Sequence, residues 1–155
     1  CSAENINFPS GSFDIIVAFD VLEHIKDDKK AVKEIARLLR NGGYFVFTVP
    51  AFQALYSAHD KFLKHYRRYN MAMLTELLSD FKINRLGYWN SLLFLPLSAF
   101  RIMRKSGETA DTMMTLSQAA NSLFYYILCS ENLAAKFNLQ IPFGLSIYGV
   151  CRKPL

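Results

Sequence analysis

The chain has 155 residues, 52% hydrophobic and 20% charged, which suits one packed domain and excludes a disordered chain. Its net charge of +5 is spread over Lys26–Lys33, Lys61–Arg68, Arg101–Lys105 and Arg152–Lys153, and the first cluster alternates with acids as a solvated helix face does. No nucleic-acid-binding module is recognisable, and no basic segment followed by an apolar stretch marks a signal peptide.

Ser10-Gly11-Ser12 reads as a turn. Phe13 to Phe19 follows, apolar on both faces after Asp14, the pattern of a parallel strand buried on both sides. Asp27 and Asp28 supply N-cap chemistry for a helix. Val32, Ile35, Leu38 and Leu39 recur along it at helical spacing, with Lys29, Lys30, Lys33, Glu34 and Arg37 facing out. Asn41-Gly42-Gly43 is expected to end the helix, because glycine accepts the left-handed conformation there. Tyr44 to Val49 is a second strand, closed by Pro50. Strand, helix, strand makes a βαβ unit with parallel strands.

A polar, aromatic loop runs from Ala51 to Tyr69. Asn70 caps a helix whose apolar face is Met71, Leu74, Leu77, Leu78 and Phe81. Ile83 to Trp89 predicts a third strand and Leu145 to Cys151 a fourth. Residues 90–143 lie between these two strands as a mostly apolar helical insertion, with helices expected near Leu92–Met103 and Met113–Phe137. Its apolar core, Leu92 to Phe100, is shorter than the ~18 residues of a membrane span and contains Pro96. Polar residues interrupt the second helix, so no transmembrane segment is expected. Extra core, a lid and a lipid-facing surface all fit the insertion. No linker divides the chain, and 1–155 reads as one domain.

Cys1, Cys129 and Cys151 are odd in number and lack metal-ligand spacing, which predicts reduced thiols in a cytoplasmic protein. The chain starts at Cys1 and reaches a strand pattern almost at once, so a cut or processed end is expected.

Ser12 to Val49 resembles a known family. Ser-Phe-Asp-Ile-Ile-Val-Ala-Phe-Asp-Val-Leu-Glu-His-Ile, then Glu34-Ile35-Ala36-Arg37-Leu38-Leu39, then Gly42-Gly43, looks like the second half of a class I S-adenosylmethionine-dependent methyltransferase. Cys1 to Phe8 is similar to the family segment that meets the cofactor's adenine. Ala58-His59-Asp60, His65-Tyr66-Arg67-Arg68-Tyr69 and Pro142-Phe143-Gly144 resemble a subgroup met among cell-envelope glycan enzymes. The family commonly has an acid where this chain has Ser2, and the family's first strand and glycine-rich cofactor loop are absent from these residues.

The resemblance implies an α/β fold, the C-terminal half of a Rossmann-like seven-stranded sheet. Its strands 4, 5, 7 and 6 lie side by side and strand 4 is an exposed edge open to self-association. It implies S-adenosyl-L-methionine as cofactor, with Ala3, Glu4, Asp20, Val21 and Leu22 as cofactor-binding residues. Little cofactor binding is expected of this half alone. Ligands of open α/β sheets bind at the C-terminal ends of parallel strands, where Asp20 to His24 and the loop after Val49 fall. His24 is a candidate general base for O-methylation, oriented by Glu23; the rival reading is a histidine that packs the turn.

His59, Asp60, His65, Arg67, Arg68 and Tyr69 are candidate substrate-binding residues, since an arginine pair can hold an anion in two-toothed fashion. Asp60 is the rival partner for those arginines. Asp20, Glu23 and His24 also resemble the Glu-x-x-Glu-His metal motif of ubiquinone and small-RNA O-methyltransferases; with the shorter Asp first, no metal is assigned. The expected acceptor is a small molecule or an envelope glycan or lipid precursor, with an anionic group favoured by the basic charge. A short-chain dehydrogenase is excluded because no tyrosine has lysine four residues later. A binding module that kept the fold without catalysis remains the alternative.

Overall fold

The computed structural model describes residues 4–94, 98, 117–137 and 141–155. Four strands form one sheet: β1 (Phe13–Phe19), β2 (Leu39–Pro50), β3 (Lys82–Trp89) and β4 (Ser146–Arg152). Their spatial order is β1-β2-β4-β3. β1 and β2 are parallel, and β4 is antiparallel to both β2 and β3. β1, β2 and β3 therefore point the same way and end on one rim. This is the order expected for family strands 4, 5, 7 and 6.

The helices are α1 (Asp28–Leu38), α2 (Ala58–Phe62), α3 (Met71–Leu77) and α4 (Gln118–Lys136). The Asp27 side chain accepts from Lys30 N at the start of α1, and Asn70 accepts from Met73 N at the start of α3. Each cap satisfies a backbone donor that the first helical turn leaves without a partner. α1 buries Ala31, Val32, Ile35 and Leu38, one face at helical spacing. Val32 and Ile35, with Leu74 and Leu78, share one core with Phe45, Phe47 and Val49 of β2 and Ile147 and Cys151 of β4. Gly149 faces Phe47 across the β2–β4 ladder, and a Cβ there would overlap the phenylalanine ring.

Asn41-Gly42-Gly43 does not cap α1. The helix ends at Leu38 with an extended Leu39, and the glycines lie within β2. Phe13 pairs with Leu39 while Ile15 pairs with Tyr44, so β2 carries extra residues that bulge out of the ladder. Gly42 takes φ +77 there, and a Cβ on Gly43 would stand 2.9 Å from Arg40 O and 3.0 Å from Asp14 O. A bulge needs both properties as much as a helix end does.

β1 is not buried on both sides. Ala18 enters the core, whereas Ile15, Val17 and Phe19 on the other face are 58%, 57% and 58% exposed. β1 also stands at the edge of the sheet. The segment before it is tied to α1: Glu34 accepts from Ile6 N at 2.9 Å, and Arg37 donates to the carbonyls of Ile6 and Phe8.

Most of the expected helix Leu92–Met103 lies outside the described residues. The second insertion helix is present as α4, anchored by Glu131, whose carboxylate accepts from Ser91 N at 2.8 and 3.0 Å. α4 leaves Leu123, Tyr126, Leu133 and other large apolar side chains exposed, so its described part is not simply additional core. No described helix is long and apolar enough to cross a membrane.

Candidate functional site

The rim where β1, β2 and β3 end carries a cavity of about 370 Å³. Asp20, Glu23 and His24 line it from the turn after β1, His59, His65 and Arg68 from the loop after β2, and Asn90 from the end of β3. Asp20 and Asn90 both take positive φ, 51 and 59, at the point where the chain leaves its strand. Asp and Asn tolerate that region better than most side chains. Asp20 is held there by Thr48, whose backbone carbonyl accepts from Asp20 N at 3.0 Å and whose hydroxyl donates to Asp20 Oδ1 at 3.2 Å. Two neighbouring parallel strands are thereby locked at their C-terminal ends.

Glu23 sits in a short 3-10 turn, Leu22–His24, and is 1% exposed. Its Oε2 is buried and has no hydrogen-bond partner among the described residues. Burial pushes its carboxyl up to about 7, and the nearby charge of Asp20 adds to the rise. His24 is exposed, and its ring meets that of His65 edge-on, with centroids 4.5 Å apart. One ligand atom from each of Glu23, His24 and His65 lies within 4.8 Å of the others.

The loop after β2 is pinned to the turn after β1. Tyr66 N donates to Glu23 O at 2.8 Å, and Tyr69 donates its hydroxyl to Leu22 O and to Asp28. Within the loop, His65 Nδ1 is 3.0 Å from Asp60 Oδ1. Arg68 grips the same carboxylate in two-toothed fashion, Nε to Oδ1 at 2.8 Å and Nη2 to Oδ2 at 3.0 Å. Ser57 closes a capping box on Asp60 from the other side. Burial raises the Asp60 carboxyl, but the hydrogen bonds of Arg68 and Ser57 outweigh it and hold the group below its usual range. Asp60 therefore stays an anion that orients His65.

Several expected contacts are placed elsewhere. Arg67 turns away from the cavity, pairs with Asp28 at 2.6 Å and donates to Lys26 O. Arg68 lines the cavity wall, but its fork is taken by Asp60, the rival partner considered for it. Asp60 and Tyr69 are buried, with their polar atoms engaged internally. Leu22 is wholly buried in the core and offers no side chain to the rim. Two adjacent like charges are thus separated by sending each to its own carboxylate, not by sharing an anion. His59 and His65 do line the cavity, as does Asp20; Val21 is exposed beside Asp20, Glu4 precedes β1, and Ala3 lies outside the described residues.

Sequence reading missed the meeting of His65 with Glu23 and His24, and the contribution of Asn90 and Ser146 to the cavity. The rule that strand ends share a rim would have brought Asn90 in, once β3 was known to run parallel to β1.

Residues 1–47 match a family model described as a methyltransferase domain. Over this stretch the chain is similar to class I S-adenosylmethionine-dependent methyltransferases. It is 31% identical over 121 residues to the uncharacterized methyltransferase YcgJ of Bacillus subtilis, a match covering 71% of this chain and 46% of that protein. It is 40% identical over 72 residues to a probable S-adenosylmethionine-dependent methyltransferase of Mycolicibacterium smegmatis, covering 45% of this chain and 28% of that one. The chain thus spans less than half the length of the curated relatives it matches. The crystal structure of YcgJ superposes with a TM-score of 0.57 and 18% identity over 100% of this chain and 70% of its own. Phosphoethanolamine N-methyltransferase 2 of Haemonchus contortus, solved with S-adenosyl-L-methionine, gives 0.58 at 20% identity, over 100% of this chain and 36% of its own. These structural likenesses speak for the fold.

Proposed function

We propose that the protein transfers a methyl group from S-adenosyl-L-methionine to a hydroxyl of a small molecule or of an envelope glycan or lipid precursor. The observation that carries this reading is the cavity itself. In a chain with this similarity, a carboxylate and imidazoles converge at the shared end of parallel strands.

The residues present fit one side of the cofactor. Asp20, fixed at positive φ by Thr48, with Val21 exposed next to it and Glu4 upstream, would hold its edge. Ala3 is assigned to the same side by resemblance alone. When bound, the cofactor supplies a methyl carbon already activated by a sulfonium.

The chain's own residues then align the acceptor, exclude water and deal with the hydroxyl proton. His24 is exposed toward the cavity and takes that proton, with Glu23 beneath it in the turn. His59, which also lines the cavity, contacts the acceptor. Arg68 and Asp60 serve at one remove, by fixing the ring of His65. The basic charge of the chain favours an acceptor with a phosphate or carboxylate.

The test is incubation of the full-length protein with isotopically labelled cofactor and a cell extract, followed by mass spectrometry. A labelled product of a few discrete masses is expected. Cofactor bound without any transfer would instead identify a binding module that kept the fold.

A further inference from the structure

We infer that Glu23, His24 and His65 form a binding site for a divalent transition-metal ion of the zinc class. Ligand atoms from the three side chains lie within 4.8 Å of one another on the cavity wall. Two imidazoles and one carboxylate are the donor set such ions take, with a further position left for water or substrate.

Two independent features of the surroundings point to a cation. The first is Glu23. A carboxylate 1% exposed, with Oε2 lacking any hydrogen-bond donor among the described residues, is costly unless something positive meets it. Asp20, on the same cavity, makes that spot more negative still.

The second is the support behind His65. Asp60 accepts from Nδ1, and Arg68 and Ser57 hold Asp60 in place. An acceptor-only carboxylate puts the ring proton on Nδ1 and leaves the Nε2 lone pair to bind. Carboxylate–histidine–metal chains have this form, and the outer carboxylate fixes both tautomer and ring direction. The buried Arg68–Asp60 pair is a large investment for a loop histidine that binds nothing. The ligand set is not the Asp20, Glu23, His24 triplet suggested by sequence, because His65 joins it from the other loop and Asp20 is outside the group.

An ion here stands on the cavity wall where an acceptor hydroxyl arrives. A hydroxyl bound to such an ion would be acidified and would lose its proton to solvent in the open cavity, leaving an oxygen nucleophile. His24 would then serve as ligand, and solvent would take the proton in its place. The site shares the cavity of the methyl-transfer reading but does not depend on it, since ion binding is measured without cofactor or acceptor.

The experiment is titration of the chelator-treated chain with Co²⁺ by absorption and with Zn²⁺ by calorimetry. The expected result is one ion per chain, with visible d–d bands and no thiolate charge-transfer band, which excludes the cysteines. Glu23→Gln, a near-isosteric change, and His65→Ala should each weaken binding at least about tenfold, and Asp60→Asn about 10–100-fold. Circular dichroism checks that each variant is folded, and Glu23→Gln alone decides the matter if Asp60→Asn is not. Binding weaker than millimolar, or equal binding by the chain and folded Glu23→Gln, overturns the proposal.

Discussion

Arg68 and Asp60 meet as a buried, forked ion pair, 3% and 0% exposed, in a loop that looks on sequence like a solvated rim. Removing one partner of such a pair strands the other charge in a medium that cannot solvate it. Arg68→Gln is therefore expected to destabilise the chain by about 3–5 kcal/mol in urea unfolding. Arg67→Gln should cost roughly 1–2 kcal/mol, because its bond to Asp28 keeps contact with water. Equal effects of the two substitutions would contradict the division of labour between these neighbours.

Acid should release the N-terminal segment before the sheet unfolds. The Arg37 hydrogen bond, then that of Ile6 N, holds the Glu34 carboxyl down at about 2 from 4.5. A depressed carboxyl stabilises the fold fully above its unfolded value and loses that contribution as pH falls through the folded one. Protection of the Ile6 amide, corrected for intrinsic exchange, should be complete above pH 4.5 and decline toward pH 2. In Glu34→Gln the profile should be flat across that window. An unchanged decline in the variant would assign it to another group.

Gly149→Ala should be destabilising despite the better strand propensity of alanine. The added methyl overlaps the ring of Phe47, itself wholly buried in the core. Overpacking of this kind costs about 1–3 kcal/mol. A companion Phe47→Leu substitution should recover part of the loss, and thermal unfolding of the three variants measures it. Additive losses would show that Gly149 serves some other purpose.

The exposed edge of β1 should drive self-association. Ile15, Val17 and Phe19 present an apolar stripe beside a strand edge that no other described strand covers, the combination that pairs with other chains. Light scattering over a concentration series should show mass rising with concentration, and Val17→Lys should suppress the rise. A monomer at all concentrations with rapid exchange of β1 amides would exclude pairing through this edge.

The sheet was legible because strand runs such as Phe13–Phe19 and Ile83–Trp89 are bounded by turns and polar residues, which are local signals. Helix caps at Asp27 and Asn70 were legible for the same reason. Gly42-Gly43 was misread because a helix end and a strand bulge demand the same backbone freedom, and only the partner strand decides between them. The face of β1 was misread because a run of apolar residues records what a strand can bury, not what covers it. The site was half legible. Strand ends placed Glu23 and His24 on the rim, but no spacing announces that His65 folds back onto them. Nor does the order Arg67-Arg68 reveal that successive side chains of an extended loop point to opposite sides.

His24 is the residue whose removal should separate chemistry from structure. It is exposed, so His24→Ala should leave the melting temperature unchanged, unlike any change at Arg68. It lines the cavity beside Glu23 and His65 and is not part of the hydrophobic core. In the full-length protein, on the proposed methyl-transfer reading and with a defined acceptor, turnover should fall by about 10²–10⁴-fold while the cofactor dissociation constant stays within experimental error. Excess Zn²⁺ then distinguishes two ways of losing activity. If His24 is an ion ligand, raising the ion concentration refills a weakened site and restores part of the turnover. If it is the base itself, added ion restores nothing. Turnover equal to that of the unsubstituted enzyme, in a folded protein with saturating acceptor, would remove His24 from the mechanism in either role.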